Sequence, residues 1–268
     1  MSEPEIVVVA DADEAASRAA GIIGDALHTA AVAERGRADW ATTGGSAPVG
    51  IYKAMLEPRL RQVIPWRDVH TWWGDDRFVP SDHPLSNARP FEDILLEASA
   101  FEVVHSDDPR AHPHIPAENV HPFRTGAALG SARGAAACAA DLAAELKEAG
   151  LPESDGWPVF DLILLGLGGD GHILSVFPGS AAFESTEWAV AIPAPTHIEP
   201  HVERVTLNPA VVTIATRVLV VTTGASKTDV VGRIFDGPRD PVALPGQLAV
   251  REGATWILDE AAAANLRR

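Results

Sequence analysis

The 268 residues carry 21 Lys and Arg against 37 Asp and Glu, a formal net charge of -16. An acidic excess of this size repels phosphodiester backbones and anionic bilayers at long range, which excludes general nucleic-acid or membrane-surface binding and leaves a small anionic substrate open. With 46% hydrophobic and 22% charged residues the composition is that of a folded chain, and no apolar run reaches the ~18 residues of a membrane helix.

The first segment, MSEPEIVVVADADE, is acidic with a short apolar run, unlike the basic, longer-cored signal of an exported protein. Ile6–Ala10 reads as a strand, and Asp11 or Asp13 is placed to cap a helix whose apolar face runs Ala16, Ala19, Ile23, Ala26 and Ala30 and which stops at Gly36. A second strand, Asp39–Thr43, runs into TTGGSAPVGIY, where Gly44 and Gly45 turn the chain and Ser46 caps a helix with Pro48 in its first turn. Consecutive glycines let backbone N–H groups converge on a ligand, and the helix start adds positive partial charge, so this turn is a candidate anion cradle. It lacks the lysine of a nucleotide-triphosphate loop.

Val69–Trp73 is the next strand, followed by a charged loop carrying Asp75, Asp76 and Arg77. In an α/β sheet the carboxyl ends of strands form the ligand crevice. Adjacent residues point in different directions, so the two aspartates are not expected to share one role. A helix follows Asn87. The stretch 105–125 holds His105, Asp107, Asp108, His112, His114 and His121, but prolines break it and no pair has the tight helical spacing of metal ligands, so it reads as a solvated loop and no metal is expected. A fourth helix spans about Ser131 to Glu148 and ends at Gly150. The lone cysteine, Cys138, shares its apolar stripe with Leu142 and Leu146, which points to packing. One cysteine rules out an intrachain disulfide and fits a reducing, cytoplasmic setting.

The most informative segment is FDLILLGLGGDGHILSVFPGS. An almost wholly apolar strand, Phe160–Leu165, suits the doubly covered centre of a parallel sheet, and it empties into Gly166, Gly168, Gly169, Asp170, Gly171 and His172. An imidazole flanked by glycine on such a turn is placed to accept and return a proton near neutral pH. Gly166, Gly168 and Gly171 also match a dinucleotide pattern, but no acidic residue ends the next strand where the ribose would need it, so no nicotinamide cofactor is expected. Strands Trp188–Ile192, Arg204–Leu207, Val218–Thr222 and Thr255–Leu258 follow. After Val218–Thr222, Gly224 and Ser226 open a fifth helix with Lys227 in its first turn, an unfavourable site for a cation unless an anion sits there too. Arg204 is placed to reach the same crevice. The stretch 236–247 is rich in proline and reads as a surface excursion.

Strands alternating with Ala-rich helices and no linker between them predict one α/β domain over residues 1–268, a mostly parallel sheet with helices on both faces.

Five motifs, GGSAP, W-G-D-D-R-F-V-P-x-D-H-P-x-S-N, L-G-x-G-x-D-G-H-x-x-S-x-F-P-G, R-V-T-L and T-G-x-S-K, occur here in a fixed order from about residue 42 to 247. In this the chain resembles the 6-phosphogluconolactonases, within the glucosamine-6-phosphate isomerase/6-phosphogluconolactonase family. The resemblance implies a modified Rossmann-like sheet without a dinucleotide cofactor, and hydrolysis of 6-phosphoglucono-δ-lactone to 6-phosphogluconate in the oxidative pentose phosphate pathway. It implies His172 as general base, Asp170 orienting it or the substrate, and Arg77, Lys227 and Arg204 holding the phosphate with the turn Gly44, Gly45 and Ser46. Asp75 is counted with the substrate-binding residues. The implied partner is the sugar-phosphate lactone itself, with no cofactor, metal or obligate protein partner.

The chain departs from the family pattern in Asp76 where relatives carry Glu, and in Ala47 where they carry Thr. Ile173 after His172 is similar to the deaminase branch, but that branch's glutamate is absent, which disfavours ring-opening deamination of glucosamine 6-phosphate. A non-catalytic sugar-phosphate sensor of the same fold is the other alternative, and no residues remain here for a DNA-binding module.

Overall fold

The computed structural model describes residues 3–99 and 113–266. His105, Asp107, Asp108 and His112 lie outside the described residues. Twelve strands are described in chain order: β1 (Glu5–Val9), β2 (Ala38–Thr42), β3 (Val69–Trp73), β4 (Asp75–Arg77), β5 (Val120–His121), β6 (Glu153–Ser154), β7 (Trp157–Pro158), β8 (Leu162–Leu165), β9 (Ala189–Ile192), β10 (Arg204–Leu207), β11 (Arg217–Thr222) and β12 (Ala254–Asp259). Seven of them form one sheet in the order β1-β12-β11-β8-β2-β3-β5, with every pairing parallel.

Successive side chains of a strand point to opposite faces. In β2 and β8 every residue is buried, so both faces of the sheet centre are covered, as the unbroken apolar run of β8 predicts. From β2 the chain builds outward through β3 and β5; from β8 it builds the other way through β11 and β12. The strand order therefore reverses between β2 and β8. Their carboxyl ends, where the glycines of residues 44–45 and 166–171 begin, flank the crevice that such a reversal leaves open.

Four indoles anchor the core. Trp40, Trp72, Trp73 and Trp256 are fully buried, and each satisfies its N–H: Trp40 on Thr71 Oγ1, Trp72 on Asp39 Oδ1, and Trp73 and Trp256 on the carbonyls of Asn87 and Ala249. The Trp73 bond ties the end of β3 to the segment that carries Asn87 into the crevice.

Three expectations are corrected by the topology. Residues 189–192 and 204–207 are extended, close to expectation, but β9 and β10 belong to a separate antiparallel sheet in the order β4-β10-β9, and residues 75–77 are its third strand, not a loop. Gly74 is the joint between the two sheets. Its N–H donates to Thr42 O and its carbonyl accepts from Leu207 N, and a Cβ there would stand 2.6 Å from Leu174 Cδ2. His121 is also not on a solvated loop: it lies in β5, buried, stacked on Trp72 at 3.9 Å and bonded to Glu145 through Nδ1 at 2.7 Å.

The helices follow their sequence signals with shifted ends. Helix α1 (Ala12–Ala31) is capped by Asp11, whose side chain accepts from Glu14 N, while Glu14 reaches back past the cap to accept from Ala10 N. It stops at Ala31; Gly36, in the left-handed region, ends the turn beyond it. Helix α2 (Ser46–Met55) begins at Ser46 itself, with Gly45 at the cap position and no side-chain cap, which corrects the capping role expected of Ser46. Helix α3 (Gly134–Ala149) buries Cys138 and ends on left-handed Gly150. A helix does follow Asn87, with a π turn at Glu92–Leu96. Residues Ala225–Lys227 form a 3-10 turn that leads into helix α4 (Thr228–Asp236). Among the described residues no helix is long and apolar enough to cross a membrane.

Candidate active site

The turn after β8 folds on itself. Gly168 N–H donates to His172 O at 2.9 Å and Gly171 N–H to Gly168 O at 3.1 Å. His172 packs over Gly168 so closely that a Cβ there would fall 2.0 Å from its Nδ1. Gly171, at φ 96°, leaves no room for a side chain against Leu244. The stretch 236–247 supports this turn from behind: Gly246 N–H donates to Gly171 O at 2.8 Å and Gly179 N–H to Val242 O at 2.9 Å, and Leu244 to Gln247 are buried. Residues 236–243 do run over the surface, as their prolines suggested, but Leu244 to Gln247 turn inward as a buttress.

Within the turn, His172 Nδ1 stands 2.6 Å from Asp170 Oδ1, which also accepts from His172 N at 3.1 Å. The other oxygen, Oδ2, stands 2.9 Å from His197 Nε2. Burial works to raise the Asp170 carboxyl, but the hydrogen bonds from His172 and His197 outweigh it and hold the group well below the usual carboxylate range. An ionised carboxylate only accepts, so His172 carries its proton on Nδ1 and keeps Nε2 as the basic nitrogen.

His172 opens on a cavity of about 320 Å³ whose walls come from both sides of the strand reversal. Gly44, Gly45, Ser46 and Ala47 bring the uncapped start of α2; Gly166 to Gly169 bring the turn after β8; Asp75, Arg77 and Arg204 come from the antiparallel sheet, and Lys227 from the turn before α4. The first N–H groups of a helix have no partner within it, so α2 presents donors here.

Each cation is anchored by its charged head to a backbone carbonyl. Arg77 Nη1 donates to Leu85 O at 2.9 Å and Lys227 Nζ to Leu167 O at 2.6 Å. Arg204 is 3% exposed and donates from Nη2 to Pro200 O at 2.7 Å, while its Nε and Nη1 are buried without a partner. Burial, and then the neighbouring Arg77, bring the Arg204 guanidinium down to about 10. Burial also lowers Lys227 against the pull of Asp170. Three cations and two carboxylates, Asp75 and Glu199, line the cavity of a chain whose net charge is -16. With Asp170 ionised behind His172, the crevice is close to neutral, a local exception on an acidic protein.

The two adjacent aspartates divide as their opposite directions require. Asp75 lines the cavity and accepts from Ser175 Oγ at 2.6 Å. Asp76 turns inward: its Oδ1 accepts from Arg77 N and Asn87 N, both at 2.7 Å, and Ser86 Oγ donates to its Oδ2 at 3.2 Å. Burial pushes Asp76 up to about 7 despite those hydrogen bonds.

Gly44, Gly45, Ser46, Asp75, Arg77, His172, Arg204 and Lys227 all line the one cavity, with Asp170 behind His172. Asn87, Ser175, Thr222 and Glu199 line it too and were not singled out. Asn87 and Ser175 sit inside the motifs quoted for the resemblance, which was the available signal. Nothing in the sequence marked Glu199 or His197. Among the described residues no group of three or more His, Cys, Asp or Glu is arranged to hold a metal ion.

Comparison with known proteins accords with this arrangement. Residues 10–257 match the family model described as glucosamine-6-phosphate isomerases/6-phosphogluconolactonase. The chain is 34% identical to the 6-phosphogluconolactonase of Synechocystis sp. over 240 residues, 89% of each chain. It is 35% identical to that of Mycobacterium tuberculosis over 254 residues, 94% of this chain and 92% of the relative. The solved structure of 6-phosphogluconolactonase from Trypanosoma brucei superimposes with a TM-score of 0.81 at 30% identity, covering all of both chains. The α/β Rossmann-like architecture is thus shared, and the chain belongs to the glucosamine-6-phosphate isomerase/6-phosphogluconolactonase family.

Proposed function

We propose that this protein is an enzyme that hydrolyses 6-phosphoglucono-δ-lactone to 6-phosphogluconate, the lactonase step of the oxidative pentose phosphate pathway. The activity follows from its relatives. The observation that carries the residue assignments is the pairing, in one cavity, of His172 backed by an ionised Asp170 with the three cations Arg77, Arg204 and Lys227. The first pair suits proton transfer at a carbonyl; the cations suit the phosphate at the far end of the same small molecule.

In this reading water attacks the lactone carbonyl carbon while His172 Nε2 takes its proton. Charge develops on the carbonyl oxygen, where backbone N–H groups of a glycine turn steady it, and the imidazolium is stabilised through Nδ1 by Asp170. Collapse of the tetrahedral intermediate breaks the bond to the ring oxygen, which receives the proton from Nε2. The products are the carboxylic acid and the freed hydroxyl, and His172 is neutral again. No covalent enzyme intermediate and no metal enter these steps.

The phosphate contacts act by positioning the lactone over His172. Gly44, Gly45 and Ser46 add donors from the start of α2, and Asp75, held by Ser175, accepts from a sugar hydroxyl. We assign the protein to the cytoplasm, on its lone buried cysteine. The test is a coupled assay that follows 6-phosphogluconate from freshly made lactone, corrected for spontaneous hydrolysis. Turnover is expected with the lactone, and no ammonia release with glucosamine 6-phosphate; the reverse pattern, or binding of 6-phosphogluconate without turnover, overturns the proposal.

A further inference from the structure

We infer that His197 is a positioning residue for this hydrolysis: by holding the second oxygen of Asp170 it fixes the plane in which Asp170 holds His172. The inference rests on the reading of His172 as general base. Asp170 Oδ1 is committed to His172, through Nδ1 and the backbone N–H, and Oδ2 to His197 Nε2 at 2.9 Å. The torsion that orients a carboxylate plane is broad and roughly two-fold, so one hydrogen-bonded oxygen leaves it loosely set. A donor on each oxygen sets it. Without His197 the open oxygen is left to water and to the pull of Lys227, whose charge interacts with Asp170. Either turns the carboxylate, and with it the imidazole.

The ring of His197 is itself held in place. Phe177 lies between the two histidines, tilted against His172 at 4.7 Å between ring centres and edge-on to His197 at 5.6 Å. The His197 segment is closed locally as well, with His201 Nδ1 donating to Pro195 O at 2.7 Å and Arg204 Nη2 to Pro200 O at 2.7 Å. Its next residues, Ile198 and Glu199, line the cavity. The His197 contact therefore joins this wall to the catalytic turn across 27 residues of chain. Its side chain is 51% exposed, so replacing it leaves the core intact. A residue that only shaped the wall would act on KM; one that sets Asp170 acts on kcat.

The experiment is steady-state lactone hydrolysis by the full chain carrying His197→Ala, His197→Gln, Asp170→Asn, His172→Ala and the Asp170→Asn/His197→Ala pair. His197→Ala is expected to lower kcat about tenfold, the scale of a small misplacement of a reacting group, with KM within about twofold. Gln, whose terminal N–H takes the place of Nε2, restores most of the loss. In the Asp170→Asn background His197→Ala adds nothing, because both act through one carboxylate. Wild-type kcat in His197→Ala, a loss confined to KM, no rescue by Gln, or an undiminished penalty in the Asp170→Asn background overturns the inference. If His172→Ala keeps full turnover, the general-base reading fails and the inference with it. If His172→Ala and Asp170→Asn are impaired and His197→Ala is not, only the inference fails.

Discussion

Arg77 and Arg204 are register partners across the antiparallel pair β4 and β10, and both line the same cavity. Like charges directly opposite one another on a sheet repel, and here one of them is buried with two nitrogens unpartnered. Such a pair is stabilised by an anion between or before it. The first prediction is that 6-phosphogluconate raises the melting temperature, by the equivalent of about 2.7 kcal/mol at a hundred times its Kd. Arg77→Ala and Lys227→Ala each remove one charge-assisted contact, on the order of 1.5–3 kcal/mol, so KM for the phosphorylated lactone should rise roughly 10- to 100-fold in either variant. Glucono-δ-lactone, which has no phosphate, should be handled by these variants as by the wild type. An equal loss on both substrates would assign the two cations another role.

Gly168 has no room for a methyl group beneath the imidazole. Its backbone is not in the left-handed region, so alanine is conformationally tolerated, but its Cβ would meet His172 Nδ1 at 2.0 Å and Asp170 Oδ1 at 2.7 Å. Gly168→Ala should cost about 10² in kcat by displacing the base, while the melting temperature falls by only a few degrees. A variant with native kcat would mean that the His172–Asp170 geometry does not matter for turnover.

Asp76 gives a prediction in pH. Its folded pKa of about 7 lies above the ordinary carboxylate value of 3.8, so the folded state binds the extra proton between these limits. Stability from this group is full below about pH 4 and is lost as the pH rises through 7. In Asp76→Asn the side-chain oxygen can still accept from Arg77 N and Asn87 N, and the amide replaces Oδ2 beside Ser86 without ionising. The variant should gain on the wild type with rising pH from 4 to about 7, by at most on the order of 4 kcal/mol, and run parallel to it above. Melting curves across that range check this, and a difference that does not vary with pH contradicts it.

How much of this was legible in the sequence depends on whether the information is local. Strand β8 was readable because a strand covered on both faces is apolar throughout, β2, β3, β11 and β12 because their short β-branched or aromatic runs alternate with helical stretches, and the turn at residues 166–172 because its glycines, Asp170 and His172 are contiguous. The sheet to which β9 and β10 belong was not readable: a run such as Arg204–Leu207 has the same alternation in either sheet, and the choice is made at Gly74 by its bonds to Thr42 and Leu207. The division of labour between Asp75 and Asp76 was foreseen in kind but not in assignment, since it depends on which of them meets Asn87 N and which Ser175 Oγ. His197 carried no signal, because its partner is reached only through the tertiary fold. The support given by Leu244 and Gly246 to the turn at residues 166–172 was hidden for the same reason.

The account turns on one nitrogen, Nε2 of His172, left basic by the bond that Nδ1 makes to Asp170. The most direct measurement is the initial rate of 6-phosphogluconate formation by His172→Ala, corrected for spontaneous hydrolysis, beside its affinity for 6-phosphogluconate. The prediction is a fall of about 10²–10⁴ in kcat with product affinity retained, because the phosphate contacts are elsewhere in the cavity. Turnover at the wild-type rate in that variant would contradict the account.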